Sequence, residues 1–197
     1  MNGKKNWTLW IVLGVVALLI VYSVSCYNGF VEYQEQATTE LSNVQTQYQR
    51  RADMMPQLAK IVKAYAKHEK ETFEAVTQAR AAAGQVKLDA ANLTPEKLKA
   101  YSDAQGELAS AFSRLMVVAE KYPELKASDN FKSLQVQEEG TENRIGEARR
   151  KYNEAVQTYN LKVRTMPGAI VARLFGFQVM PKFEAASGSE KAPDLDI

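Results

Sequence analysis

The apolar residues of this chain are concentrated near its start, at residues 7–27. No charged residue occurs between Lys5 and Glu32. About 20 apolar residues in a helix that rises ~1.5 Å per residue match the ~30 Å hydrocarbon core of a bilayer. The pattern therefore predicts a transmembrane helix at residues 7–27, after a short N-terminus at residues 1–6. The residues predicted to anchor it in lipid are Trp7, Leu9, Trp10, Ile11, Val12, Leu13, Leu18, Leu19, Ile20 and Tyr27.

After this run, apolar residues recur at spacings of three, four and seven, which indicates the buried face of an amphipathic helix. The stripe begins at Phe30 and meets no proline before Pro56. The membrane helix is therefore expected to continue into the first helix of the body. Asp53 is a suitable helix cap and Pro56 is tolerated in a first turn, so the chain is expected to reverse at residues 52–56.

Three further amphipathic helices are predicted. The second ends near Gly84, and the third begins at Thr94-Pro95-Glu96, where a capping hydroxyl precedes a proline and an acidic first turn. Pro123 stops or kinks the third helix, and the fourth runs from residue 128 to about residue 165. No segment has the alternation typical of a β-strand. We expect an all-α protein in which an N-terminal transmembrane helix precedes an antiparallel four-helix up-down bundle at residues 28–166.

A short apolar segment follows the bundle and predicts an extra C-terminal helix and cap at residues 167–183. If the first bundle helix leaves the membrane, the fourth returns to it and brings this segment to the bilayer surface. The alternative is that the segment covers the open end of the bundle. The polar residues 184–197 are predicted to be disordered. The residues predicted to touch the membrane surface are Ile170, Leu174, Phe175 and Phe177.

Basic residues next to a span favour the cytoplasmic side of the membrane. Lys4 and Lys5 precede the span, and the next basic residue after it is Arg50. This asymmetry predicts a cytoplasmic N-terminus and an extracytoplasmic bundle. Cys26 leaves an alternative open, in which a signal sequence is cleaved and lipid is attached to this cysteine. The length of the span and Ser23 argue against that alternative, and a single cysteine excludes an internal disulfide.

The charged residues exclude several classes of function. The 25 basic and 23 acidic residues of the 197-residue chain give a net charge of only +2, and no basic stripe is interleaved with aromatic residues, so nucleic-acid binding is not expected. One histidine, His68, excludes metal sites that need two imidazoles from one chain. His68 and Glu69 are adjacent and do not face each other on a helix, and Thr72 breaks the HExxH pattern. No catalytic residue, cofactor or metal ligand is predicted.

Glu138 and Thr141 interrupt the apolar stripe of the fourth helix, and Glu142 lies beside them. We expect a polar layer in the bundle core, in which these residues pair with Arg51 or Arg80 from another helix and specify the register. The alternative is a ligand or metal site, because a buried charge needs a partner of some kind.

Several runs of residues resemble one known family, and they occur in order along nearly the whole chain. They are Tyr27-Asn28, Tyr48–Glu69, Glu120–Lys126, Asn130-Phe131, Gly140–Ile145, Arg149–Asn153, Tyr159-Asn160 and Gly176-Phe177. These runs are similar to the LemA family of bacterial membrane-anchored proteins. The resemblance implies a helical bundle behind one transmembrane helix, no agreed enzymatic activity, and links to membrane proteostasis and envelope processes. Met54-Met55 and Cys26 depart from what the family leads us to expect.

The leading hypothesis is a non-enzymatic scaffold or adaptor in the inner membrane of a bacterium. Its partners would be the bilayer, other envelope proteins and, through its long amphipathic helix, a second copy of itself. The alternative hypothesis is a sensor that binds a ligand or metal at the polar layer, and a hydrolase is the least favoured.

Overall fold

The computed structural model describes residues 3–184, with side chains from Trp7 onward. Within this range the chain forms helices and connecting segments and no β-strand, so the all-α prediction is confirmed. The predicted cytoplasmic N-terminus (residues 1–6) and disordered tail (residues 184–197) lie almost entirely outside the described side chains. The helices are α1 (Gly3–Tyr65), α2 (Lys70–Gln85), α3 (Pro95–Glu120), α4 (Pro123–Ala127), α5 (Asp129–Arg164) and α6 (Gly168–Phe175), with a 3-10 turn at Ala90–Asn92.

Helix α1 continues through Pro56, so the predicted reversal at residues 52–56 is wrong. The chain reverses in the link between α1 and α2, at residues 66–69. The exposed Pro56 removes one backbone hydrogen bond, at a cost of about 3 kcal/mol. The apolar side chains on both sides of it are buried, each contributing about 1.5–3 kcal/mol, and this burial outweighs the cost. They are Met55, Leu58 and Val62.

The predicted start of the third helix is confirmed. The hydroxyl of Thr94 accepts a hydrogen bond of 3.2 Å from the backbone N–H of Lys97, and Pro95 is the first residue of α3. The predicted end of the third helix at Pro123 is also confirmed. Helix α3 stops at Glu120, and Pro123 begins the short helix α4. Helix α6 ends at Phe175 and is capped by Gly176, whose φ of 78° lies in the left-handed region that glycine adopts without strain.

The described chain forms two compact units. The first unit comprises the residues up to Glu40 together with Glu154–Met180, and the second comprises Leu41–Asn153 and the residues from Pro181 onward. Helices α1 and α5 contribute residues to both units. The domain boundaries predicted from the sequence remain predictions.

Contacts in the second unit give the directions of its helices. Gln45 of α1 donates to the carbonyl of Leu88, beyond the end of α2, whereas Arg80 of α2 donates to the carbonyl of Ala52. Residue numbers therefore rise along α1 as they fall along α2, and the two helices are antiparallel. The core of this unit combines apolar side chains of all five helices that enter it, including Leu58, Val76, Leu115, Leu125 and Phe131.

Side-chain contacts also give the directions of α3 and α5 relative to α1. Tyr48 stacks edge-on against Tyr101 of α3, and Arg51, one turn later, bonds to Gln105 of α3, so α1 and α3 are parallel. Arg51 also bonds to Glu142 of α5, while Met54 lies against Thr141, so α1 and α5 are antiparallel. The second unit is therefore an up-down-up-down bundle.

The first unit has a smaller core of its own. Phe30 of α1 is buried with Tyr159 and Val163 of α5 and with Val171 and Ala172 of α6. Cys26 and Phe177 pack against the edge of this cluster.

Candidate functional site

A buried arginine lies at the centre of a polar layer in the second unit. Arg51 is only 3% exposed. One of its Nη atoms donates to Oε1 of Glu142 at 2.6 Å, and the other donates to the backbone carbonyl of Gln105 at 2.6 Å and to its Oε1 at 3.2 Å. Its guanidinium also lies 5.1 Å from the centre of the Tyr48 ring. The charge of Arg51 is therefore balanced by one carboxylate and by neutral acceptors.

Glu138 is the second buried ionisable group of this layer, at 6% exposure. Its Oε2 atom has no hydrogen-bond partner among the described residues, and neither has Nε of Arg51. Burial, reinforced by the charge of Glu142 and opposed by that of Arg51, raises the pKa of Glu138 to about 7. Near neutral pH this carboxyl group can therefore exchange a proton.

Thr141 and Gly140 complete the layer. Thr141 is fully buried, and its hydroxyl donates to the carbonyl of Gln137 at 2.7 Å and accepts from Arg144 at 3.3 Å. A side chain at Gly140 would bring its Cβ within 3.4 Å of the Arg144 guanidinium. The Arg144 guanidinium therefore lies directly against position 140 as it reaches Thr141.

The structure thus brings Arg51, Glu138, Thr141 and Glu142 together. Arg80 lies apart from them: its side chain is exposed, and it bonds to the carbonyl of Ala52. Its position on the outer face of α2 prevents it from entering the core. Gln105 belongs to the layer and was not predicted, although it interrupts an apolar stripe at the spacing of a core position.

The layer offers proton exchange and ion pairing. Within residues 3–184 no group of three or more histidine, cysteine, aspartate or glutamate side chains is arranged to hold a metal ion. His68 is exposed in the link between α1 and α2.

A second set of polar contacts, in the second unit, holds the end of the described chain. Asn153 donates from its side chain to the carbonyl of Phe183 and accepts from the N–H of Phe183, both at 2.9 Å. The hydroxyl of Tyr152 donates to the carbonyl of Pro181 at 2.8 Å, and Arg149 donates to that of Glu184 at 2.7 Å. Burial raises the pKa of Tyr152, which keeps its hydroxyl protonated as a donor.

The first unit contains the same arrangement one heptad later. Asn160 donates to the carbonyl of Met180 and accepts from its N–H, both at 2.8 Å, while the hydroxyl of Tyr159 donates to the carbonyl of Gln178 at 2.8 Å. Each Tyr-Asn pair therefore satisfies the backbone of an extended segment that has no secondary structure of its own. The pattern of apolar positions does not predict this role. Its signal was two asparagines in the interior of a helix, where asparagine is a poor helix former.

The predicted anchor residues are all exposed, and the most apolar stretch of α1 contains no buried residue. Cys26 is half-buried against the small core of the first unit. Of the four residues predicted at the membrane surface, three are exposed and Phe177 is half-buried. The exposed ones are Ile170, Leu174 and Phe175.

Residues 40–196 match the model of the LemA family. The chain belongs to the LemA family. Among its relatives is magnetosome protein MamQ 2 of Paramagnetospirillum magneticum, which is 28% identical over 190 residues, covering 88% of this chain and 70% of the relative. Magnetosome protein MamQ of Magnetospirillum gryphiswaldense is 27% identical over 200 residues, covering 92% of this chain and 74% of the relative.

The runs that resemble the LemA family coincide with the contacts described above. The run Gly140–Ile145 supplies Thr141 and Glu142 to the polar layer, and Arg149–Asn153 and Tyr159-Asn160 hold the extended segment. With its long apolar N-terminal helix, this LemA protein is a membrane-associated helical protein.

Proposed function

We propose that the protein is a membrane-anchored, non-enzymatic scaffold or adaptor of the bacterial cell envelope that acts through protein–protein contacts. One observation carries this proposal. A single helix, α1, begins with exposed apolar residues able to cross a bilayer and continues, without a break, into residues that fill the cores of both units. The helix that reaches lipid is therefore also the helix on which the folded body is built.

The polar side chains support a structural role over a catalytic one. General acid–base or nucleophilic catalysis needs a reactive group held beside a second group that activates it. Among the described residues, the buried Arg51 donates hydrogen bonds to Glu142 and Gln105. The hydroxyls of Tyr152 and Tyr159 donate to backbone carbonyls. Among the described core residues, Glu138 can exchange a proton near neutral pH.

Helix α1 also presents a surface suited to a partner. Ser42, Gln45, Thr46, Gln49 and Gln57 line a shallow groove in the second unit, together with Arg50, Asp53 and Met54. Hydroxyl and amide side chains both donate and accept hydrogen bonds, so such a surface can pair with a helix of another envelope protein or of a second copy.

Site-specific crosslinking in intact membranes tests the proposal. A photoreactive residue replaces Gln49 in the groove or, as the control, Ser113 on the exposed face of α3. We expect the residue at position 49, and not the one at 113, to capture a discrete envelope protein or a second copy, identified by mass spectrometry. A scan of exposed positions on every helix that yields no captured protein would contradict the proposal.

We also propose that the protein is a single-pass protein of the inner membrane, with its N-terminus in the cytoplasm and its bundle outside. Lys87 is exposed after α2, and a cysteine introduced there in a Cys26→Ser chain reports the side of the membrane. An impermeant thiol reagent should label it in cells whose outer layer is permeabilised, and protection would refute this orientation. Mass spectrometry of residues 23–28 distinguishes an intact span from a cleaved chain with lipid on Cys26.

A second candidate function is a sensor that binds a ligand or metal at the polar layer. The observation that favours it is the buried, unpartnered Oε2 atom of Glu138. Metal analysis and melting of the full chain in detergent with added divalent cations test it. A reproducible shift that Glu138→Gln abolishes, and Glu139→Gln does not, would favour the sensor over a scaffold alone.

A further inference from the structure

Helix α6 packs against α1 where the candidate membrane span ends. The ring of Tyr27, the last residue of the apolar run, lies 5.2 Å from that of Phe175 and 5.4 Å from that of Phe177. Phe30, one turn later on α1, lies 5.2 Å from Phe177. These aromatic contacts hold α6 beside the last turn of the span.

Gly168 brings the start of α6 equally close. A Cβ built at this position would lie 3.2 Å from the carbonyl oxygen of Lys162 and 3.3 Å from the Phe30 ring. Both distances are shorter than ordinary contacts of a Cβ atom, so glycine favours this approach. Both ends of α6 are therefore fixed in the first unit.

The outer face of α6 is apolar. Val171 and Ala172 are buried, whereas Ile170, Leu174 and Phe175 are 60%, 75% and 51% exposed. Val179, shortly after the helix, is exposed as well. Exposed apolar side chains clustered in this way mark a surface that contacts either a membrane or another protein.

Position and charge favour a membrane. The apolar run of about 20 residues spans the hydrocarbon core, so Tyr27 lies at its boundary, where tyrosine is enriched. No acidic residue occurs between Glu154 and Glu184, while Lys162, Arg164 and Arg173 are exposed. Apolar side chains with flanking basic groups at this depth match acyl chains below and phosphate-bearing headgroups above.

We propose that α6 lies in the membrane–water interface, with Ile170, Leu174 and Phe175 among the acyl chains and Arg173 at the lipid phosphates. The protein then touches the bilayer at two places, through a spanning helix and through a helix that lies in the interface. This inference rests on the proposed single-pass anchor.

Nitroxide labels on the full chain, reconstituted in vesicles of phosphatidylethanolamine and phosphatidylglycerol, test the inference. In a Cys26→Ser chain, a single cysteine replaces Leu174, Leu18 in the span, or Val136 in the second unit. All three positions are highly exposed, so the label does not disturb packing. Collisions with dissolved oxygen report contact with lipid, and collisions with a water-soluble nickel complex report contact with water.

We expect the label at Leu174 to have a ratio of oxygen to nickel accessibility several-fold above that at Val136 and below that at Leu18, which lies near the middle of the span. A label at Leu174 that behaves like the label at Val136, while Leu18 is in lipid, overturns the inference and leaves the anchor intact. A label at Leu174 shielded from both reagents shows a protein contact and overturns it too. A label at Leu18 in water overturns the anchor and, with it, the position of α6.

Discussion

The guanidinium of Arg51 donates a 2.6 Å hydrogen bond to the carboxylate of Glu142, which lies 91 positions further along the chain. The pair joins α1 to α5, and Gln105 of α3 accepts a bond from the same guanidinium. The arginine is buried, whereas the side chain of Glu142 is 45% exposed. If Arg51 were removed, water could therefore hydrogen-bond to Glu142 in its place but could not reach the carbonyl of Gln105.

Replacing Arg51 by methionine should lower the free energy of unfolding by about 1–3 kcal/mol, since the buried acceptors of Gln105 lose their charged donor while water can solvate Glu142. The full chain in detergent, unfolded with denaturant and followed by circular dichroism, gives the value. Arg50→Met, at the exposed neighbouring position, is the matched control and should change stability by no more than about 0.5 kcal/mol. Equal effects of the two substitutions would contradict the role assigned to Arg51.

The pKa of Glu138 makes stability depend on pH. This pKa rises from 4.5 to about 7 in the folded protein, so the folded state binds its proton more tightly than the unfolded state does. The stabilisation is complete below pH 4.5 and is lost as the pH rises to about 7. Glu138→Gln imitates the protonated acid, so this variant retains the stabilisation at all pH values.

The stability of the natural chain relative to Glu138→Gln should therefore fall by roughly 2 kcal/mol between pH 5 and pH 8. Denaturant unfolding of both chains at each pH measures this difference. Glu139→Gln, at the exposed adjacent position, should show no such trend. A constant difference between the natural chain and Glu138→Gln would show that Glu138 does not titrate in this range.

Asn153 should hold the extended segment through both of its hydrogen bonds to Phe183. Asn153→Ala removes both hydrogen bonds and leaves the backbone N–H and carbonyl of Phe183 without their partner. The free energy that holds the segment in place should fall by about 1–2 kcal/mol. Trypsin should then cleave after the exposed Lys182 several-fold faster than in the natural chain. Asn153→Asp retains only the acceptor and should give an intermediate or equally large effect. Asn130→Ala, at an exposed position near the start of α5, should leave the cleavage rate unchanged.

Two glycines in helices should respond oppositely to alanine. Gly168→Ala places a methyl group against a backbone carbonyl and the Phe30 ring, and should destabilise the protein by about 1 kcal/mol or more. Gly146→Ala meets nothing within 4 Å in the interior of α5 and should stabilise it by about 0.5–1 kcal/mol. Thermal unfolding of the two variants provides the comparison, and a shift in the same direction would show that the approach of α6 to Phe30 is not tight.

Local chemical signals explain what the sequence predicts correctly. Thr94 and Pro95 determine a helix start by capping and by a fixed φ, and neither effect depends on the rest of the fold. The reversal after Tyr65 has no comparable signal, because no glycine or proline lies between Tyr65 and Lys70. Pro56 carried a misleading signal, since the burial that keeps α1 helical around it depends on tertiary packing.

The polar layer shows the same division. An interrupted apolar stripe is visible in the sequence and points to Glu138 and Thr141. The sequence does not reveal whether Arg51 or Arg80 faces these two residues. That depends on which side of each helix packs inward, and the packing is set by the tertiary fold. The partners of Asn153 and Asn160 also could not be predicted from the sequence, since they are backbone groups of a segment without a periodic pattern.

The contacts of Phe177 with both Tyr27 and Phe30 impose a rule on how the anchor is joined to the body. Residues three apart lie on one helix face, so a single ring can touch both. One residue inserted between Tyr27 and Phe30 would rotate Tyr27 by about 100° and carry it away from Phe177. Exchanging one apolar residue of the span for another leaves the relative orientation of Tyr27 and Phe30 on the helix unchanged. A whole-turn insertion would restore the face but move Tyr27 about 5.4 Å along the helix axis, away from Phe177. The span is therefore free to vary in composition, whereas the spacing between Tyr27 and Phe30 is fixed.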